Sequence, residues 1–236
     1  KPQTARSMPA KVYVGARNVK KPGPQRAPYP ANAILVDVTS CQAKDNPNRL
    51  AFSPMHIHEG EMYTDPFGYK WSCFENAWQS GKVWKTEKGK EVPHDLTLKK
   101  WQRRPIYKAH RKLSAFYPKA RKWTVVTSLF PEDPGHRFGY VESRKRVYVP
   151  RYAAFVRNRP HARQTLEGLQ ELVRDQHRPL VIFDLDGPRD AAGRPECHRL
   201  TVELLRERIE DVRVPFGHGY VVAAMAAGIA EEAYCA

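Results

Sequence analysis

The sequence predicts an α+β fold: a single, mostly helical domain with short strands and a basic extended N-terminal arm. Helix-period apolar patterns dominate the second half of the chain, as over residues 162–176. The apolar runs that indicate strands are short and scattered; Leu180–Phe183 is the clearest. Residues 1–32 are rich in proline and cations, so the predicted boundaries are an arm over 1–32 and a domain over 33–236.

Composition limits the classes of protein and of partner. Forty Lys and Arg against 25 Asp and Glu give a formal net charge of +15 in 236 residues. A surplus of this size favours a polyanionic partner, which nucleic acid, an acidic protein or a membrane surface would satisfy. Hydrophobic residues make up 41% of the chain, enough for a core. No run approaches the roughly 20 apolar residues that span a bilayer.

The N-terminal arm is predicted from charge and proline. Residues 1–32 hold seven cations and no acid. Prolines cluster from Pro22 to Pro30, which favours an extended segment that becomes ordered on a partner. Within it, Lys11–Val14 has the pattern of a short strand.

The remaining elements follow in chain order. Strands are predicted over Ala33–Val38, Thr124–Leu129, Val147–Val149 and Leu180–Phe183. Helices are predicted over 96–123 (broken at Pro105 and Pro118), 151–157, 162–176, Leu200–Ile209 and Gly219–Tyr234. Turns are predicted at Asp45–Asn48 and at Asp65–Gly68.

The stretch from Trp71 to Lys82 combines aromatic, acidic, amide and basic side chains. On a helix, Glu75, Gln79 and Lys82 lie on one stripe, because they are four and then three residues apart. The aromatic residues beside them suit a flat ring, so the stretch suggests chemistry on a base or nucleotide. An ordinary surface helix with its aromatic side chains in the core fits the same spacing.

The segment 99–122 is the most basic part of the chain. It carries ten Lys or Arg, no acid lies between Asp95 and Glu132, and aromatic residues are interleaved with the cations. Cations that reach phosphates and rings that stack on bases indicate nucleic-acid binding. A second cluster follows at 144–146, whose two arginines face one side if the segment is a strand. The candidate contacts are Arg103, Arg104, Lys108, Arg111, Lys112, Arg144 and Arg146.

Two further segments bring polar groups to the ends of buried elements. Asp184 and Asp186 follow the strand Leu180–Phe183, at the kind of strand end where α/β folds place ligands; a turn capped by Asp186 is the alternative. His218 stands between two glycines before the last helix, where free N–H groups suit an anion. His218 is a candidate for supplying a proton or a hydrogen bond there.

Metal and disulfide chemistry have little support in the sequence. The four cysteines are far apart and form no C-x-x-C pair, which favours reduced thiols in an intracellular protein. His56 and His58 alternate as metal ligands do on a strand, but a pair of surface histidines is the favoured interpretation. The sequence indicates no metal and no cofactor, and it leaves the oligomeric state open.

The pattern Trp71-x-x-Phe74-Glu75-x-x-x-Gln79-x-x-Lys82 resembles the signature helix of the NADAR-type N-glycosidases, whose core reads roughly S-x-E-x-x-x-Q-x-x-K. The resemblance implies a mostly helical α+β domain that cleaves a C–N glycosidic bond. Glu75 and Asp186 are then the catalytic residues, Glu75 stabilising an oxocarbenium-like sugar and activating water. Substrate would be held by Trp71, Trp78, Gln79, Lys82, Asp184 and His218, with a tryptophan on the base and an aspartate on the ribose.

Two functions remain open from the sequence. The first is an N-glycosidase-like hydrolase acting on a nucleotide, an ADP-ribosylated target or modified nucleic acid. The second is a non-catalytic nucleic-acid-binding protein, such as a ribonucleoprotein subunit, on an enzyme-like fold. The acid and aromatics around Glu75 favour the first, and the basic proline-rich arm favours the second.

Overall fold

The computed structural model describes residues 11–18, 25–56, 63–64, 70–71, 73–92, 124–175 and 178–234. They divide into two compact units. The first unit takes the described residues of 1–52, 159–208 and 214–236, and the second takes those of 53–158 and 209–213. Each unit is built from segments that are separated in sequence, so neither coincides with the boundary predicted at residue 32.

The first unit contains a five-stranded sheet. Its strands are β1 (Val12–Asn18), β2 (Gln25–Arg26), β3 (Ile34–Asp37), β9 (Leu180–Asp184) and β10 (Cys197–Arg199). Strand β9 lies between β1 and β3 and is parallel to both, whereas β2 and β10 pair antiparallel with β1. All five residues of β9 are buried, as expected for a central parallel strand. The carboxyl ends of β1, β3 and β9 therefore meet at one edge of the sheet.

Helices pack against this sheet. The first unit holds α1 (Pro47–Phe52), α5 (Pro160–Asp175), most of α6 (Val202–Glu210), α7 (His218–Ala227) and α8 (Ala230–Tyr234). Helix α7 packs on β1, β9 and α5. Nine of its ten residues are buried, because small and apolar side chains surround its axis on every side. Gly228 ends α7 in the left-handed region, at φ 72°.

The second unit combines short strands with helices. Its elements are β4 (Tyr63–Thr64), β5 (Lys70–Trp71), α2 (Phe74–Ser80), β6 (Lys82–Lys85), β7 (Glu91–Val92), β8 (Thr124–Ser128), α3 (Tyr140–Ser143), a π-helical segment (Arg144–Tyr148) and α4 (Val149–Arg157). Strand β6 lies between β7 and β8, antiparallel to both. The buried Phe74 ring packs on Tyr148, Tyr152 and Phe155 at centroid distances of 5.6, 5.2 and 5.3 Å.

The structure confirms a mixed α+β architecture, and two of the finer predictions are wrong. The arm expected over 1–32 is not wholly outside the fold, because β1 is a largely buried strand in the middle of the first unit's sheet. The strand expected over Val147–Val149 is helical instead. Pro150 stands in the first turn of α4, where its missing N–H costs little. Among the described residues, no helix has the length and apolarity needed to cross a membrane.

Candidate active site

Helix α2 carries the acid of the Trp71–Lys82 stretch in its first turn. Cys73 precedes the helix with extended backbone, and the Glu75 amide donates to the Pro54 carbonyl at 2.9 Å. Gln79 donates from Nε2 to Glu75 Oε1 at 2.7 Å. The prediction that Glu75 and Gln79 share one helical stripe is confirmed, and the hydrogen bond restricts the carboxylate to one orientation.

Lys82 is not part of that helix. Helix α2 ends at Ser80, and Lys82 is the first residue of β6. Between them Gly81 lets the Phe130 ring lie against the backbone, since a Cβ there would lie 2.0 Å from a ring carbon. The predicted helical stripe is therefore wrong for Lys82. The chain nevertheless folds back far enough for the charge of Glu75 to act on the Lys82 amine.

Burial of the Lys82 amine is the largest influence on its charge. It lowers the pKa of Lys82 below the usual value; Glu75 raises that pKa and Arg144 lowers it, both by smaller amounts. Its Nζ also lies 5.4 Å from the centroid of the Trp78 ring. Since burial outweighs the attraction of Glu75, Lys82 holds more uncharged amine at a given pH than a lysine in water.

Lys82 lines a cavity of about 390 Å³, a volume typical of small-molecule sites. The other described residues in its wall come from β8, from the start of α3 and from the segment that bridges to β8 just before α3: Val125, Val126, Thr127, Ser128, Phe138 and Tyr140. Val125, Val126 and Tyr140 are among the exposed large hydrophobic residues. The wall is thus largely apolar, with one amine among its described residues.

The sequence predicted β8 but gave it no functional role. One signal was available in the adjacent valines Val125 and Val126. Side chains alternate along a strand, so two successive large apolar residues put one on each face of the sheet. In the structure Val125 is 43% exposed and Val126 is 41% exposed. Both line the cavity, since the pairing of β8 with β6 shifts register between Val125 and Thr127.

Neither tryptophan is placed to stack on a base. Trp71 is 2% exposed and Trp78 is 8% exposed. The Trp78 ring is stacked on Phe130 at 5.6 Å with an interplanar angle of 11°, and Tyr148 meets it edge-on at 4.9 Å. The predicted base-stacking role is therefore wrong for Trp71 and Trp78, because other side chains of the core already occupy their surroundings.

Asp184, in the first unit, is part of the internal bonding of the fold. The side chain is buried; Oδ1 accepts the Leu185 amide and Oδ2 accepts the Gly219 amide, each at 2.7 Å. A Cβ at Gly217 would lie 2.2 Å from Oδ2, so glycine is required for this approach. The sequence predicted that N–H groups at the start of this helix would suit an anion. The Gly219 N–H does bind one, the carboxylate of Asp184. A ribose-binding role for Asp184 is contradicted by its burial.

His218 shares this environment. Its Nε2 lies 2.9 Å from the Val38 carbonyl oxygen, and its Nδ1 lies 3.4 Å from Asp184 Oδ2. Because a carbonyl oxygen only accepts hydrogen bonds, Nε2 carries a proton. The ring is 8% exposed and links α7 to β9 and to Val38, the residue after β3, which contradicts the predicted substrate contact. Asp186 is exposed, two residues past the end of β9, and its catalytic role stays a prediction.

The predicted nucleic-acid contacts have two outcomes. Arg103, Arg104, Lys108, Arg111 and Lys112 lie outside the described residues, as does the segment 99–122 as a whole. Arg144 and Arg146 lie in the π-helical segment, so their predicted alternation on a strand is wrong.

Arg144 and Arg146 also have partners within the protein. Arg144 is 2% exposed, and its Nη1 donates to the Ile209 and Asp211 carbonyls at 3.2 and 2.9 Å. A buried guanidinium cannot reach a phosphate. Arg146 is exposed but donates to Glu142 at 2.8 Å and Asp133 at 3.2 Å, so acids oppose its charge.

The structure describes three cysteines, Cys41, Cys73 and Cys197, and all are free thiols. Within the described ranges, no three or more His, Cys, Asp or Glu side chains are grouped to hold a metal ion; His58 lies outside those ranges. Comparison with protein-family models, curated proteins and solved structures found no match. The resemblance to the N-glycosidases therefore rests on the residues around Glu75 alone.

Proposed function

We propose that the protein hydrolyses a C–N glycosidic bond in a nucleotide, an ADP-ribosylated target or a modified nucleic acid, with Glu75 and Lys82 as the groups beside the reacting sugar. One observation carries the proposal. Lys82 forms part of a cavity wall, and its amine is electrostatically coupled to a carboxylate that Gln79 holds in place.

Each group has a definite part in the reaction. When the glycosidic bond breaks, its electron pair leaves with the base nitrogen, which takes up a proton from solvent, and the sugar becomes oxocarbenium-like. The Glu75 carboxylate stabilises that positive charge and accepts a proton from the attacking water. The new C–O bond completes the hydrolysis, and release of the proton restores Glu75.

The lowered pKa of Lys82 suits this chemistry. A full positive charge beside a sugar that is itself becoming positive would raise the barrier. Lys82 gives up its proton more readily than a lysine in water, and the neutral amine reduces this repulsion and still forms hydrogen bonds to a sugar hydroxyl. Burial, the largest cause of the lowered pKa, therefore makes Lys82 compatible with a transition state that arginine would oppose.

The experiment is a base-release assay on the full chain. A panel of nucleosides, nucleotides, NAD and an ADP-ribosylated oligonucleotide is incubated with the protein, and the freed base is measured by reversed-phase chromatography. Glu75→Gln keeps the shape of the side chain and removes its charge, so turnover should fall by about 10²- to 10⁴-fold.

Glu171→Gln, at an exposed position of α5, is the matched control and should retain full activity. The circular dichroism of Glu75→Gln should match that of the wild type, and its affinity for nucleic acid should be nearly intact. The proposed hydrolase activity would be refuted if Glu75→Gln released base at the wild-type rate, or if the wild type released no base from any member of the panel.

A non-catalytic nucleic-acid-binding function is the second candidate. The net charge of +15 and the run of cations over 99–122 favour it. In that case the protein binds oligonucleotides and releases no base, and the affinity falls steeply with added salt.

A further inference from the structure

A second cavity, of about 830 Å³, lies in the first unit at the carboxyl end of β1. Its wall includes Asn18, the last residue of β1, Arg26 of β2, the turn from Asp190 to Glu196, and Cys197 and His198 of β10. The carboxyl ends of parallel strands are a common ligand position in folds of this kind. None of the groups proposed for glycosidic hydrolysis belongs to this wall.

The acids in this wall already have partners. Asp190 accepts from Arg194 Nε at 2.6 Å and from the Ala192 amide at 2.9 Å. Glu196 pairs with His198 at 2.9 Å. Burial raises the pKa of the Cys197 thiol to about 11, so Cys197 adds no negative charge near neutral pH. Among the described wall residues, Arg194 is thus paired with an acid of the wall, whereas the carboxylate recorded near Arg26 is Asp37, which lies outside the wall.

Within the described part of the chain, Arg26 shares one carboxylate with another arginine. It stands directly opposite Arg17 in the register of β1 and β2, and like charges opposite one another destabilise a strand pair. Asp37 Oδ2 lies 2.8 Å from Arg17 Nη1 but 3.7 Å from Arg26 Nη2. Two guanidinium groups therefore share one carboxylate, and Arg26 has the weaker part of it.

Arg26 is also held in position while it remains accessible. Its guanidinium carbon lies 5.2 Å from the centroid of the Phe183 ring, within the range of a cation–π contact. Its side chain is 30% exposed, which leaves donors for a ligand. A guanidinium group fits a phosphate with two parallel hydrogen bonds.

We propose that this cavity binds the phosphate group of a small molecule, with Arg26 as its principal contact. Inorganic pyrophosphate is the probe, because it has neither the sugar nor the base that the Glu75 site would recognise. Titration calorimetry on the full chain should show binding that weakens as salt is added. Arg26→Gln should lower the affinity by about tenfold or more. Arg26→Lys should lower it by less, because lysine keeps the positive charge and loses only the two parallel hydrogen bonds of the guanidinium group.

Arg163→Gln is the matched control, since this exposed arginine of α5 has only a 3.9 Å ion pair with Glu167. It should bind pyrophosphate like the wild type. Arg26→Gln should melt close to the wild type, because the substitution removes the like charge opposite Arg17 together with the weaker contacts to Asp37 and Phe183.

An absence of binding, undiminished affinity in Arg26→Gln, or equal affinity for succinate would each overturn the phosphate site. The affinity of Glu75→Gln for pyrophosphate should equal that of the wild type. The two proposals can therefore fail separately.

Discussion

The two units each place a carboxylate and a nitrogen base together, and the two pairs differ in how their polar atoms are satisfied. In the first unit, Asp184 uses both oxygens on backbone amides and lies beside His218, whose Nε2 donates to a backbone carbonyl. In the second unit, Glu75 accepts from a side chain, and Lys82 carries an amine whose burial is not fully offset. Lys82 also borders a cavity.

The difference separates a structural site from a candidate reactive one. A buried carboxylate whose hydrogen bonds all go to backbone fixes the positions of strands and helices. A group with a shifted pKa next to a cavity is a candidate for binding a substrate or exchanging a proton with it. Asp184 and His218, which the sequence listed among the substrate-binding residues, prove to be bonded within the protein.

The largest expected effect is a loss of stability when Asp184, the structural carboxylate, is replaced. Asp184→Ala leaves the Leu185 and Gly219 amides without their acceptor, so the free energy of unfolding should fall by about 3 kcal/mol or more. Urea titration followed by circular dichroism measures it. Glu171→Gln changes an exposed carboxylate of α5 and should stay within about 0.5 kcal/mol of wild type. Equal losses in the two variants would contradict the role assigned to Asp184.

The next largest effect is on catalysis and concerns Lys82, in the candidate reactive pair. Lys82→Arg places a permanent charge where the structure lowers the pKa of an amine, so kcat/KM for base release should fall by about 100-fold. Lys82→Gln, which is neutral and still polar, should lose about tenfold. Lys85→Arg, on the same strand but exposed, should keep wild-type kcat/KM. If Lys82→Arg were the more active of the two Lys82 variants, the argument from charge would be wrong.

A smaller effect, of about tenfold in affinity, tests the alternative function. Arg103→Ala combined with Arg104→Ala removes two predicted phosphate contacts, so the slope of log affinity against log salt should become shallower by about 2. Fluorescence anisotropy with a labelled oligonucleotide measures the slope. Arg146→Ala, whose charge is opposed by Glu142 and Asp133, should leave the slope nearly unchanged. An unaltered slope in the double variant would exclude 103–104 as contacts.

The accuracy of the sequence predictions follows from the range of the interactions involved. The buried run Leu180–Phe183 and the helix-period pattern over 162–176 are local signals, and both elements form where predicted. The place of β1 in the middle of a sheet depends on pairing with β9, which lies more than 160 residues away, so its basic, proline-rich flanks suggested an arm. The spacing of Lys82 from Glu75 and Gln79 likewise placed Lys82 on α2, because nothing local shows that the Phe130 ring packs against Gly81.

The smallest expected effect is in the pH dependence of stability, because a single group produces it. The pKa of Lys82 is lower in the folded protein than its usual 10.5, so the unfolded chain binds more protons between the two values. The destabilisation from Lys82 is complete below the folded pKa and disappears as the pH rises to 10.5. The stability of Lys82→Gln relative to wild type should therefore decrease steadily over the alkaline part of a pH 7–10.5 urea series. A Lys82→Gln difference that does not change with pH would mean that the amine is as well solvated as a surface lysine, and the argument that burial prepares Lys82 for catalysis would be wrong.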